Sequence, residues 1–140
     1  MRAVACGLCV GLMALAGCAQ QPSDPGAEAA AVAAAERWLG MIDSKKYGES
    51  WDDAAAMFRK AVPRDQWQRQ LEALREPMGA LQTRQVASKA YRTALPGAPD
   101  GKYVVIQFRA SFEKKKSAVE TVTPMLDADG QWRVSGYFIK

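Results

Sequence analysis

The chain has 140 residues, of which 49% are hydrophobic and 24% charged, and a formal net charge of +4. That length supports one compact domain with its own core, and a mildly basic, interspersed charge leaves no nucleic-acid footprint. Histidine is absent and cysteine occurs three times, which excludes His-type zinc sites and both Ser-His-Asp and Cys-His catalysis.

The N-terminal stretch reads as an export signal. Arg2 is the only charge before an uncharged run from Ala3 to Ala16, and a positive start followed by a short apolar region and small residues is the signal-peptide pattern. The run is shorter than the roughly 18–20 apolar residues of a spanning helix. It ends in Leu15-Ala16-Gly17-Cys18, which resembles the lipobox of bacterial lipoproteins. Residues 1–17 are then the lipoprotein signal peptide, and Cys18 becomes the acylated N-terminus of the mature chain. Ala19 at the next position resembles lipoproteins destined for the outer membrane, which places the domain in the bacterial cell envelope, facing the periplasm.

Signal removal takes Cys6 and Cys9 with it, and lipidation consumes Cys18. An exported domain with no spare thiol has no disulfide, so its stability rests on packing. Loss of Arg2 leaves a balance of +3. Residues 18–26, the lipidated cysteine and Gln20-Gln21-Pro22-Ser23-Asp24-Pro25-Gly26, read as a flexible tether. The single domain spans residues 27–140.

Three helices come first. From Ala27 to about Ser44, Val32, Ala35, Leu39 and Ile42 recur at helical spacing with Ala31 and Trp38 beside them. Asp43-Ser44-Lys45-Lys46 interrupts that pattern. Ser50 with Asp53 three residues on predicts a capping box opening a second helix whose stripe is Trp51, Ala54, Ala55, Phe58 and Val62. Pro63 suits the first turn of a third helix, with Trp67, Leu71, Leu74 and Met78 as its stripe and Pro77 and Gly79 as its stop. At such spacing the tryptophans at 38, 51 and 67 belong to the core rather than to a sugar-stacking platform.

After Gly79 the period changes to 2. Strands are predicted over Thr83 to Ala94, Lys102 to Glu113, Ala118 to Leu126 and Gln131 to Ile139. In the second, Val104, Ile106, Phe108, Ala110 and Phe112 alternate with Tyr103, Val105, Gln107, Arg109 and Ser111, giving one core face and one wet face. Lys114-Lys115-Lys116 forms a hairpin tip. Pro124 implies an edge or a bulge, Asp127-Ala128-Asp129-Gly130 a hairpin turn, and Gly136 a bulge or a close backbone approach. Asp127 and Asp129 start like a calcium loop, but the later oxygen ligands are missing, so the stretch is a turn and not a metal site. The fold class is α+β: three N-terminal helices packed on a four-stranded antiparallel β-sheet, the helices covering its apolar face.

Several stretches together resemble one bacterial family. They are Glu36-Arg37-Trp38-Leu39, Asp43 through Tyr47, Ser50-Trp51, Leu95 through Phe108, Glu120-Thr121-Val122-Thr123-Pro124 and Gly130 through Tyr137. The resemblance is to the exported proteins called domain of unknown function 4019, over residues 29–140. It implies no activity and carries no catalytic residue. The element order is also similar to NTF2-like and cystatin-like folds, whose members include enzymes, small-ligand binders and noncatalytic assembly domains.

Two classes of function fit this reading. The first is a noncatalytic binding or interaction domain held at the membrane by its lipid, taking another envelope protein or a small ligand and no nucleic acid. Its binding face would be Tyr103, Gln107 and Arg109, to which Arg133 and Tyr137 add. Lys114, Lys115 and Lys116 are candidates for contact with an anionic surface. The alternative is a small enzyme transferring protons with a carboxylate and a tyrosine. Glu120 is its better carboxylate and Glu113 the poorer, with Tyr91, Tyr103 and Tyr137 as donors, yet pairing with a base on a neighbouring strand is the commoner use of such a carboxylate. No convergent acid–base constellation and no cofactor pattern is visible.

Overall fold

A computed structural model of the chain describes residues 22–140. The predicted signal peptide, Cys18, Ala19 and the first half of the predicted tether lie outside the described residues. Asp24 sets the start of the first helix: its carboxylate accepts from the Ala27 amide at 3.0 Å, and Pro25 occupies the first turn. Helix α1 therefore spans Pro25–Asp43 and absorbs the end of the predicted tether. Its buried stripe is Ala31, Ala34, Ala35, Trp38, Leu39 and Ile42. Val32, expected in that stripe, sits only at its border.

Lys45 ends this helix in the left-handed conformation, at φ 60°, while the Lys46 amide donates to Met41 O at 2.8 Å. Such a termination more often uses glycine or asparagine.

The predicted second helix is two. Helix α2 spans Tyr47–Asp52 and α3 spans Ala56–Ala61. The break comes from tertiary bonds: the Ala55 amide donates to Val134 O at 2.8 Å and the Ala56 amide to Asp127 Oδ2 at 3.2 Å. Ser50 is not a cap. It lies inside α2, its hydroxyl donating to Tyr47 O at 2.6 Å and accepting from Trp67 Nε1 at 3.0 Å. Trp38 Nε1 donates to the Ser50 carbonyl at 2.8 Å. One serine thus satisfies two indole N–H groups that burial would otherwise leave unpaired.

Pro63 is the N-cap residue of α4, Arg64–Arg75, which continues into a 3₁₀ turn, Glu76–Met78. Trp67 and Leu71 are buried as predicted, but Leu74 is 36% exposed. The buried position at the end of the helix belongs to Arg75 instead. Trp38 and Trp67 are core residues, 1% and 6% exposed, and Trp51 is half-buried against the same cluster.

Gly79 then turns the chain into the sheet at φ 73°, ψ −165°, a region essentially confined to glycine. A Cβ there would come within 2.9 Å of Glu113 Cβ. Gly79→Ala is expected to lower stability by about 1–3 kcal/mol, measured as a fall in the urea midpoint with an unchanged slope.

The sheet is an antiparallel meander of β1 (Leu81–Arg92), β2 (Tyr103–Phe112), β3 (Lys115–Leu126) and β4 (Trp132–Ile139), in that spatial order. Strand β3 starts earlier than expected, so the turn is Glu113-Lys114, and Lys115 and Lys116 are already paired chain. In β2, Val104, Ile106, Phe108, Ala110 and Phe112 are all buried, and the alternation is the predicted one. The helices cover this face. Pro124 sits at a bulge facing β4, between the Thr123–Gly136 and Pro124–Val134 pairs. Gly130, at φ 81°, closes the β3–β4 turn.

Candidate functional site

The first candidate site is a set of ionisable side chains between helices and sheet. Asp43 ends α1, Arg75 ends α4, Arg84 lies on β1, Glu120 on β3 and Tyr137 on β4. Arg84 opposes Ala110, which in turn opposes Ala118. Two successive alanines leave the room for the Arg84 side chain to cross β2 and meet Glu120, two strands away.

Arg84 Nε donates to Glu120 Oε1 at 2.7 Å. Its two terminal nitrogens grip Asp43, at 2.6 Å to Oδ2 and 3.0 Å to Oδ1. Arg75 Nη2 donates to Asp43 Oδ1 at 2.7 Å, and the guanidinium lies over the Phe112 ring, 4.8 Å from its centroid. Tyr137 donates its phenolic proton to Glu120 Oε2 at 2.7 Å. The side chain of Glu120 is fully buried, and those of Arg75 and Arg84 are 5% and 11% exposed. Two carboxylates face two guanidiniums, so the group is neutral as a whole.

The network shifts its members in physically separable ways. Burial acts to raise Asp43, but hydrogen bonds from Arg84 and Arg75 outweigh it and hold the carboxyl below its ordinary value. Burial, reinforced by the Glu120 carboxylate, pushes the Tyr137 phenol well above its ordinary range. Both Glu120 oxygens already accept a strong bond. Arg75 Nε and Nη1 have no hydrogen-bond partner, and both atoms are closed to solvent. A cavity of about 260 Å³, lined by Asp43, Tyr47, Arg75 and Gly79 with Lys45 and Glu76 among its walls, reaches the near side of the network but neither Glu120 nor Tyr137.

The second candidate is the sheet face turned away from the helices. Of the five residues expected there, Gln107 and Arg109 are exposed on it. Tyr103 is fully buried and donates to Pro99 O at 2.6 Å; the turn-rich loop before β2 covers it. Arg133 is tied to the β3–β4 turn, 2.8 Å from Asp129 and 3.4 Å from Asp127. Tyr137 points to the opposite face, into the network. The bulge opposite Thr123 and Pro124 inserts a residue into β4 and inverts its alternation after Val134. Phe138 consequently takes the open face, opposite Thr121, and is 51% exposed.

On this face a groove of about 480 Å³ runs beside Arg109, with Thr83, Gln85, Ser111 and Ser117 among its lining residues. Lys116 also lines it and donates to Gln82 Oε1 at 2.8 Å. Lys114 and Lys116 are exposed, and Lys115 is half-buried.

Sequence reasoning missed Asp43, Arg75 and Arg84 as network members. One signal was present: Arg84 sits at an inward position of β1, opposite Ala110, where a base is unusual. Asp43 and Arg75 gave none, since each lies at a helix end where a charge is ordinary.

No helix among the described residues is long and apolar enough to cross a membrane. No curated protein matches the chain. The family model described as "Protein of unknown function (DUF4019)" matches residues 34–137, a span that contains the whole network and the open sheet face apart from Phe138. The chain belongs to that family, as the stretches from Glu36 to Tyr137 had indicated.

Proposed function

We propose that this protein is a lipid-anchored envelope protein of bacteria, acylated at Cys18 and facing the periplasm from the outer membrane, whose single domain binds a partner or small ligand without catalysis. The reading of its helix-covered, four-stranded sheet as NTF2-like or cystatin-like belongs to the same proposal, and rests on helices packed against one face of an antiparallel meander. The observation that carries noncatalytic binding is the division of labour between the two sheet faces. The inner carboxylates are saturated by guanidinium and phenol donors, whereas Arg109 on the outer face has no hydrogen-bond or ion-pair partner among the described residues and stands beside an open groove. A proton-transfer enzyme built on Glu120 and a tyrosine has less support, because a carboxylate holding two strong donors in a closed core is a poor base.

Two measurements test the proposal. Cys18→Ser should move the protein from the membrane to the soluble fraction of intact cells; unchanged membrane association would remove the anchor. A photoreactive residue at Gln107 should capture one reproducible species in cells, while the same group at Arg69, exposed on α4, captures none. Equal capture from both positions would remove the open face as the binding surface.

A further inference from the structure

The even mix of acids and bases in the whole sequence conceals a division in the fold. Residues 22–79, which build the helical layer, carry ten acids and eight bases, and there Arg37 pairs with Asp53, Lys45 with Glu76, Lys46 with Glu49, and Arg64 with Asp52. From Ala80 to Val119 the chain carries eight bases and only two acids, Asp100 and Glu113. Of those bases only buried Arg84 forms an ion pair among the described residues. Lys89, Lys102, Arg109, Lys114 and Lys116 are exposed and form none. Of these, Arg109 projects from the outer face and Lys116 lines its groove, whereas Lys89 stands opposite Ile106 on the helix-covered face.

The outer face offers more than charge. One row across the strands is Phe138, Thr121, Gln107 and Ser88; the next contains Val119, Arg109 and Gln85. Ser111, Thr83 and Ser117 continue the groove beyond Arg109. The side chains around the cation are therefore mostly hydroxyls and amides, with Val119 opposite it, Lys116 in the groove and one exposed aromatic ring. With strands ~4.8 Å apart and a rise of ~3.4 Å per residue, Arg109 and Phe138 lie about 12 Å apart along the sheet. That spacing suits an extended hydrophilic chain more than a single small ion.

We propose that this face binds an anionic glycan, a sugar chain bearing carboxylate or phosphate groups; the proposal rests on the reading of the domain as a binding module acting through its open face. Arg109 supplies the planar fork that matches a carboxylate or phosphate in a bidentate pair. Gln107, Gln85 and the groove hydroxyls both donate and accept, as sugar hydroxyls require. Phe138 provides a flat apolar surface on which a sugar ring can lie. A membrane surface fits less well, because the basic hairpin Glu113-Lys114-Lys115-Lys116 carries no apolar side chain to enter the lipid boundary. An acidic polypeptide would use the charges but has no need of the exposed ring.

The test is calorimetric titration of the full-length chain with oligogalacturonate, its methyl-esterified form, polyglutamate and monomeric dihexanoyl phosphatidylglycerol. Saturable binding of oligogalacturonate is expected, lost on esterification and weakened by added salt. Arg109→Gln should weaken it roughly tenfold, and Phe138→Ala about three- to tenfold, with the thermal midpoint of each variant unchanged. Absence of oligogalacturonate binding overturns the proposal. So does equal binding of polyglutamate or of the lipid with no effect of Phe138→Ala, which assigns the face to an acidic protein or a headgroup respectively. Continued crosslinking from Gln107 in cells alongside failed glycan binding would leave the binding module standing without this ligand; loss of both would remove the two together.

Discussion

Glu120→Ala is expected to destabilise the domain by about 3–5 kcal/mol, the usual cost of removing one partner from a buried ion pair. The substitution leaves Arg84 facing only Asp43 and removes the acceptor of the Tyr137 phenol. Arg75, already with two unpartnered nitrogens and 4.0 Å from Glu120, loses its second counter-charge. A fall in the urea midpoint with an unchanged slope measures it. A loss below 1 kcal/mol would mean that water enters and solvates the arginines, contradicting their closure. Tyr137→Phe keeps all four charges and removes one charge-assisted bond, so its cost should be about 1.5–3 kcal/mol.

The same network gives stability a pH dependence with two limbs. Asp43 has a folded pKa below the ordinary value of 3.8. Its contribution is therefore complete above that value and is lost as pH falls through the lower folded value. Tyr137 has a folded pKa raised above its ordinary value of 10.0. Its contribution is complete below pH 10 and is lost as pH rises beyond it, because the unfolded phenol ionises first. Stability measured against pH should show both limbs. Tyr137→Phe should flatten the alkaline limb and leave the acid one.

Trp38→Ala should cost about 3–5 kcal/mol, through lost burial and the cavity that remains. Trp38 is 1% exposed; its ring centroid lies 6.0 Å from that of Trp67 and 5.5 Å from that of Tyr137. Its indole N–H also supplies the bond to the Ser50 carbonyl, which the substitution leaves buried without that donor. Trp38→Phe restores much of the volume but not the donor, so it should recover part of the loss. Chemical denaturation of both variants checks the order. Equal costs for the two would show that the hydrogen bond, and not the ring, carries the effect.

Local pattern determined much of this protein by itself. Strict alternation from Val104 to Phe112 identified the central strand and its inward face. Pro124 and Gly136 marked the bulge, since one lacks an amide proton and the other a side chain. The spacing of Trp38 and Trp67 within apolar stripes put both in the core. What local pattern could not supply was anything that depends on a partner distant in sequence. Ser50 has the spacing of a cap, and only the arrival of Trp38 and Trp67 gives its groups another use. The second helix is continuous by propensity and is divided by bonds to Val134 and Asp127. The bulge was legible, yet its consequence, that Tyr137 turns inward and Phe138 outward, requires the register with β3. Nothing local marks Arg75 for burial, because a charge is buried only where opposite charges converge. That convergence of Asp43 and Glu120, from a helix end and a strand 77 positions apart in sequence, exists only in the tertiary structure.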